Sequence, residues 1–188
     1  MVVVPSATGR ADPAVLAATA VAAIGAATLI GAWFFQYVLN YMPCALCLDE
    51  RIPYYISIPL GVVLFFAARA QAPRTWLVIG FAAIAASMLW NAGLSVYHSG
   101  VEWHLWAGPP DCTGSLNSLG SGGSLINQLQ NIHIPRCDEA AWRLFGISLA
   151  GYNALISLAL AGIALWGAYA AVRRAPAGTG GRAIEGAG

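Results

Sequence analysis

The sequence predicts an all-α membrane protein: a four-transmembrane-helix bundle with both termini cytoplasmic and a long second periplasmic loop. Three observations predict it. The 188 residues are 59% hydrophobic and 9% charged with a mean hydropathy of +0.66, far outside the balance of a soluble domain. Four long runs carry no Asp, Glu, Arg, Lys or His. Arginines and acids collect on opposite sides of those runs. The nine basic residues are all Arg, eight acids nearly cancel them, and the pI lies near 7.7. That balance supplies no strongly positive field, which excludes nucleic acid as the main partner.

The chain reads as one membrane domain, residues 1–188. The first charge-free run, Ala14–Leu48, supplies a span at about 14–39. A secretory signal peptide is the rival reading there, but the run is far longer than an apolar core of about 7 to 15 residues. A short outer loop at about 40–47 follows. The second run, Ile52–Ala68, is shorter than the ~20 helical residues a bilayer core requires. It reaches full length as a span at about 48–68 by borrowing the turn Cys47–Arg51, which leaves Arg51 at the membrane surface. Thr75–Tyr97 and Leu144–Val172 supply the third and fourth spans, at about 75–97 and 144–172. Between them lies the long outer loop, about 98–143, and after them a Gly- and Ala-rich tail, 173–188, expected to be mobile.

Orientation follows from the positive residues, which mark cytoplasmic flanks. Arg10, Arg69, Arg74, Arg173, Arg174 and Arg182 share one side of a four-span topology, while Asp49, Glu50, Glu102, Asp111, Asp138 and Glu139 share the other. Aromatic belts agree: Trp33, Phe34, Tyr37, Tyr41, Tyr97, Trp103, Trp106 and Trp142 mark the outer interface, Trp76 and Tyr169 the inner. Gly and Ser within the spans, including Gly25, Gly31, Ser87, Gly93, Gly151 and Gly162, read as close-packing positions without chemistry.

All four cysteines fall on the outer side, Cys44 and Cys47 in the short loop and Cys112 and Cys137 in the long one. An oxidising compartment lets such cysteines persist as disulfides. For Cys112 with Cys137, two readings stay open: a structural staple worth roughly 3 to 4 kcal/mol of loop entropy, or a redox pair. Cys44-Ala45-Leu46-Cys47 differs in kind. Its ring is too small to staple much, and two-residue spacing is the geometry of a dithiol that opens and closes during exchange. A four-thiolate zinc site is the competing chemistry, but the second pair lacks the paired spacing of a zinc ribbon; no metal is expected. Haem attachment is excluded because Leu48, not His, follows Cys47.

If the second helix begins within this turn, Cys47 and Arg51 stand at i and i+4 on one face, and the helix start adds positive potential; both favour a thiolate at Cys47. Arg51 could then also donate to a carbonyl oxygen of a lipid-soluble electron acceptor, which points to a quinone. The alternative is an interfacial Arg paired with Asp49 or Glu50. Pro53 fits a first helical turn and can shift the helix start beyond Cys47. His98, just past the third span, reads either as a plain interfacial histidine or as a donor or proton relay to a quinone. In the long loop, Gly108-Pro109-Pro110 holds the chain extended before Cys112, a Gly/Ser-rich stretch follows, and Leu125, Ile126, Leu129 and Ile132 suggest a short amphipathic helix.

These residues resemble the DsbB family of membrane disulfide oxidases through Trp33-Phe34-Phe35-Gln36, Pro43-Cys44-Ala45-Leu46-Cys47, Glu50-Arg51, Tyr97-His98, Gly108-Pro109 before Cys112, and Cys137. The related vitamin K epoxide reductase fold shares the four-helix plan and the quinone chemistry but places its loop cysteines before the CxxC; here the CxxC comes first.

The resemblance implies a quinone-dependent thiol:disulfide oxidoreductase of the bacterial inner membrane, with its active site on the periplasmic side. Cys112 and Cys137 as a disulfide would oxidise a DsbA-like periplasmic thioredoxin-fold partner, with Cys112 forming the mixed disulfide. Cys137 would then attack Cys44, releasing Cys47 as the thiolate that passes two electrons to ubiquinone or menaquinone beside Arg51, with His98 a further cofactor-binding candidate. DsbA is a strong oxidant at about −120 mV, so the acceptor must lie higher. The competing expectations are a non-enzymatic four-helix module with two structural disulfides and an enzyme like vitamin K epoxide reductase.

Overall fold

The computed structural model of the chain describes residues 12–109 and 136–173. Cys112, the Gly/Ser-rich stretch, the amphipathic segment at Leu125–Ile132 and the tail after Arg173 lie outside the described residues.

Helix α1 (Pro13–Trp33) opens on Asp12, whose carboxylate accepts from the Ala14 N–H, with Pro13 in the first turn, where its missing N–H costs nothing. A single π-helical turn, Phe34–Val38, carries the helix to its end, and Asn40 in the left-handed region at φ 57° turns the chain. A short helix α2 (Ala45–Asp49) holds the CxxC, and α3 (Ile52–Arg69) begins after a one-turn interruption with Pro53 in its first turn. Helix α4 (Arg74–Glu102) runs past the charge-free stretch that ends at Tyr97 and carries His98 with it. The run from Leu144 opens not on helix but on a hairpin, β1 (Arg143–Leu144) against β2 (Ile147–Ser148). Phe145 and Gly146, at φ 50° and 82°, give it the two left-handed residues of a tight hairpin turn. Helix α5 (Leu149–Arg173) completes the bundle.

Four helical segments, Pro13–Val38, Ala45–Arg69, Arg74–Glu102 and Leu149–Arg173, are long and apolar enough to cross a membrane. The fold is therefore a mostly helical four-span bundle. The start of α1 and the end of α5 lie side by side, where Asp12 and Pro13 meet Trp166, Tyr169 and Arg173. Helix α4 packs most extensively on α5, and α1 on α3.

Small residues set the spacing of this bundle. A Cβ on Gly167 of α5 would fall 2.7 Å from the Phe81 ring of α4 and 2.8 Å from Ala17 of α1. Ala14, Ala17, Ala18, Ala161, Ala164 and Ala171 are buried around Val21, Leu64, Leu77, Phe81, Ile84, Met88 and Leu160. Lipid offers no hydrophobic drive between helices, so van der Waals fit of this kind must hold them together. Trp90, Phe66, Val63, Trp76 and Ile79 face outward, as a lipid-facing surface requires.

Candidate active site

The CxxC folds as a helix start. Cys44 is extended (φ −76°, ψ 171°) in the N-cap position of α2, and its Sγ accepts a hydrogen bond from the Cys47 N–H at 3.2 Å. Cys44 and Cys47 are joined as a disulfide, with Cα atoms 5.1 Å apart. Cys44 is buried together with Leu46, Val101 and Cys137, while half-buried Cys47 packs against the same cluster. Cys137 is 1% exposed and is itself disulfide-bonded. The fold thus brings Cys44, Cys47 and Cys137 into one cluster; Cys112 lies outside the described residues. Beside Cys137, Arg136 donates twice to Asp138, at 3.0 and 2.7 Å. That pairing holds the Asp138 carboxyl below the usual carboxylate range and raises the Arg136 guanidinium.

Arg51 sits in the interruption between α2 and α3. Pro53 has no N–H and fits the first turn of a new helix, so Cys47 and Arg51 are not on one unbroken α-helix. The backbone donor at the helix start reaches Cys44, not Cys47. Both residues nonetheless line the same cavity. Arg51 Nη1 donates to Gln36 Oε1 at the end of α1. The oxygens of its neighbour Glu50 are taken elsewhere, by His98 and Asn153.

His98 is buried, at 3% exposure. Its Nδ1 lies 2.8 Å from Glu50 Oε1, and its Nε2 lies 3.6 Å from Cys44 Sγ and 4.0 Å from Glu102 Oε1. Behind Glu50 runs a buried polar ladder across three helices. Asn153 Nδ2 donates to Glu50 Oε2 at 2.9 Å and to Ser95 Oγ at 2.8 Å. Tyr54 donates to Asn153 Oδ1 at 2.6 Å, and Asn91 Nδ2 donates to Ser157 Oγ at 2.9 Å. Sequence reasoning gave Tyr54, Asn91, Ser95, Asn153 and Ser157 no role. A signal was present: Asn91, Ser95, His98 and Glu102 recur at helical spacing on one face of an otherwise apolar span, as do Glu50, Tyr54 and Ser57. Polar residues within a span are expensive and face the bundle interior.

The cavity beside the disulfide has a volume of about 310 Å³. Cys44, Cys47, Arg51 and His98 line it together with the apolar Leu29, Phe35 and Ile156 and with Tyr152. It is a mostly apolar pocket with a few convergent polar groups, the form a small-molecule site takes. A planar ring carrying carbonyl oxygens and an apolar tail fits that lining, in which Arg51 offers donors beside the cysteines and most of the wall is apolar. The donor atoms of Cys44, Cys47 and His98 lie within 4.8 Å of one another. With the two sulfurs bonded to each other, neither is the thiolate a metal would require.

The model of the family described as Disulfide bond formation protein DsbB matches residues 14–167. An uncharacterized protein of Rickettsia prowazekii is 29% identical over 132 residues, covering 69% of this chain and 73% of its own. Disulfide bond formation protein B of Hahella chejuensis is 28% identical over 159 residues, covering 76% of this chain and 84% of its own. That of Nitrosococcus oceani is 26% identical over 138 residues, covering 72% and 79%. No solved structure shows a significant match. With a buried CxxC disulfide at one end of a four-span bundle and a family match across most of its length, the chain belongs to the DsbB family of disulfide bond formation proteins.

Proposed function

We propose that the protein reoxidises a DsbA-like periplasmic thioredoxin-fold partner and passes the electrons to ubiquinone or menaquinone in the bacterial inner membrane. One observation carries this reading: the Cys44–Cys47 disulfide forms part of the wall of a mostly apolar cavity that Arg51 and His98 also line. Both termini are then cytoplasmic, the membrane is crossed by Pro13–Val38, Ala45–Arg69, Arg74–Glu102 and Leu149–Arg173, and the cysteine end faces the periplasm. Orientation rests on the arginine bias.

In the relay, Cys112 and Cys137 oxidise the partner's dithiol, and Cys112 forms the mixed disulfide. The burial of Cys137 supports that division of labour. A sulfur with 1% exposure is closed to a second protein but packs in the cluster that holds Cys44, so its attack on Cys44 is an intramolecular step with high effective concentration. Attack on Cys44 releases Cys47 as a thiolate into the cavity that also holds Arg51. A quinone held there would supply the acceptor for two electrons and two protons. Arg51 would hold a carbonyl oxygen, His98 would donate to it once its Nε2 carries a proton, and the apolar lining excludes water. Cys112, freed by the partner, would then attack Cys137 and release Cys44, and closing the Cys44–Cys47 bond resets the pair.

The test is quinone reduction by the purified protein with reduced DsbA-like partner, read optically, alongside four Cys-to-Ser variants. Turnover in the intact protein and its loss in Cys44→Ser, Cys47→Ser, Cys112→Ser and Cys137→Ser is the expected result. Absence of turnover with either quinone class would leave a non-enzymatic module with two structural disulfides.

A further inference from the structure

We propose that Glu50 is a positioning residue that completes a Cys44–His98–Glu50 relay, whose task is to take the proton from the Cys44 thiol each time the CxxC disulfide re-forms. The inference deepens the dithiol-to-quinone reading above and rests on it for the fate of the electrons.

The geometry is that of a nucleophile, a base and an orienting carboxylate. Glu50 Oε1 at 2.8 Å from Nδ1 accepts the Nδ1–H and so fixes the tautomer, leaving Nε2 to face Cys44 Sγ at 3.6 Å. A base oriented by a third group is the arrangement that activates weak nucleophiles. Glu50 is itself held: its second oxygen accepts from Asn153, which Tyr54 fixes through Oδ1. Three helices therefore converge on one buried carboxylate. The other charged or titratable groups around His98 are Glu102, whose Oε1 lies 4.0 Å from Nε2, and Arg143, which donates to the Glu102 carbonyl at 3.3 Å. Arg51, Arg136 and Glu139 line the cavity that His98 also reaches. Glu102 Oε2 is buried without a hydrogen-bond partner. An imidazole that has just taken a proton thus lies between two carboxylates, so its charge is compensated where a lone cation would be costly.

The chemistry balances. Attack of Cys137 leaves a Cys44–Cys137 disulfide and a Cys47 thiolate. When the Cys112 thiol, freed by the partner, attacks Cys137 and re-forms the Cys112–Cys137 bond, Cys44 leaves carrying the Cys112 proton, and the pair stands as Cys44 thiol and Cys47 thiolate. Forming the Cys44–Cys47 bond breaks the Cys44 S–H bond, sends its proton to His98 Nε2 and delivers two electrons to the quinone. The quinone takes that proton from the imidazole and a second from solvent, becoming the quinol. In the reverse direction the imidazole returns the proton to the leaving Cys44 sulfur. The Cys47 N–H that points at Cys44 Sγ assists both directions by stabilising the thiolate.

The relay can be read without quinone. In the full-length protein with Cys47, Cys112 and Cys137 changed to Ser, Cys44 is the sole thiol, and its alkylation rate by a small maleimide is followed against pH by mass spectrometry. We expect Glu50→Gln and His98→Asn each to slow alkylation at neutral pH by roughly tenfold and move the midpoint upward by about one pH unit. The double variant should add little to either, as coupled residues do. Asparagine at 98 retains a donor toward Glu50 but has no base at the Nε2 position, so it tests the relay with the Glu50 contact intact. Glu50→Asp should recover part of the rate. An unchanged profile in His98→Asn overturns the relay, and a shifted profile there with an unchanged one in Glu50→Gln overturns the role of Glu50. Failure of quinone turnover in the parent with shifted profiles intact would sink the electron acceptor and leave the relay standing.

Discussion

The two ends of this bundle are built from the same helices and held by different forces. At the Asp12 and Arg173 end, Ala14, Ala17, Ala18, Leu77, Phe81 and Ala164 interlock by shape alone. At the cysteine end, Glu50, Tyr54, Asn91, Ser95, His98, Asn153 and Ser157 are joined by hydrogen bonds. The difference teaches where stability and chemistry are separable. Close-packed alanines can hold helices but cannot move a proton or an electron. A polar ladder can do both, at the cost of buried polar atoms that are incompletely paired: Asn91 Oδ1, Ser57 Oγ and Glu102 Oε2 have no hydrogen-bond partner.

Variants at each end of the bundle test that separation. The largest effect belongs to Cys47→Ser, which should reduce partner-driven quinone reduction to background, measured optically; retained turnover would remove Cys47 from the electron path. Next, Gly167→Val at the apolar end should lower stability by roughly 1 to 3 kcal/mol through overpacking, because its Cβ alone would meet Phe81 at 2.7 Å and Ala17 at 2.8 Å. Thermal unfolding in detergent reads that loss, and turnover per folded molecule should be unaltered. Arg51→Ala should raise the apparent KM for quinone about tenfold, equivalent to ~1.4 kcal/mol, while the partner's KM stays the same. Asn153→Ala deletes contacts to Glu50, Ser95 and Tyr54 at once. Its stability cost should be only about 1 kcal/mol, given how weak interhelical hydrogen bonds in membranes prove to be, yet turnover should fall with it. Trp90→Leu, on the outward face of α4, should change stability by less than about 0.5 kcal/mol and turnover not at all.

The four apolar helices were legible because charge-free runs report the bilayer directly, one residue at a time. The CxxC was legible because its spacing is local. The position of His98 was not, because Tyr97 and the Trp residues after it mark an interface in composition while nothing between Ser99 and Glu102 stops the helix. The stop comes from His104, left-handed at φ 56°, and from Trp106, whose Nε1 donates to the Tyr97 carbonyl while its ring lies against Gly100. Such a stop depends on residues meeting across a turn. Whether Cys47 and Arg51 share one helix turns on whether the chain breaks before Pro53, and local spacing leaves that open because tertiary packing decides it. The partners of Glu50, His98 and Asn153, lie on two other helices far away in sequence, and a single sequence gives no view of such contacts.

The hydrogen bond between Arg51 and Gln36 leaves the guanidinium in an unusual electrical state. An arginine tied to a carboxylate is neutralised, and parting the two would strand opposite charges in a poorly screened setting. An amide oxygen carries no net charge, so Arg51 keeps its full positive field in the cavity while one of its donors is satisfied. Replacing Gln36 with a ligand carbonyl exchanges one neutral acceptor for another, with no change in hydrogen-bond number and no charge separated. The arginine therefore stands ready to change partners at little free-energy cost, and the side chain that must yield is one residue at the end of the first helix.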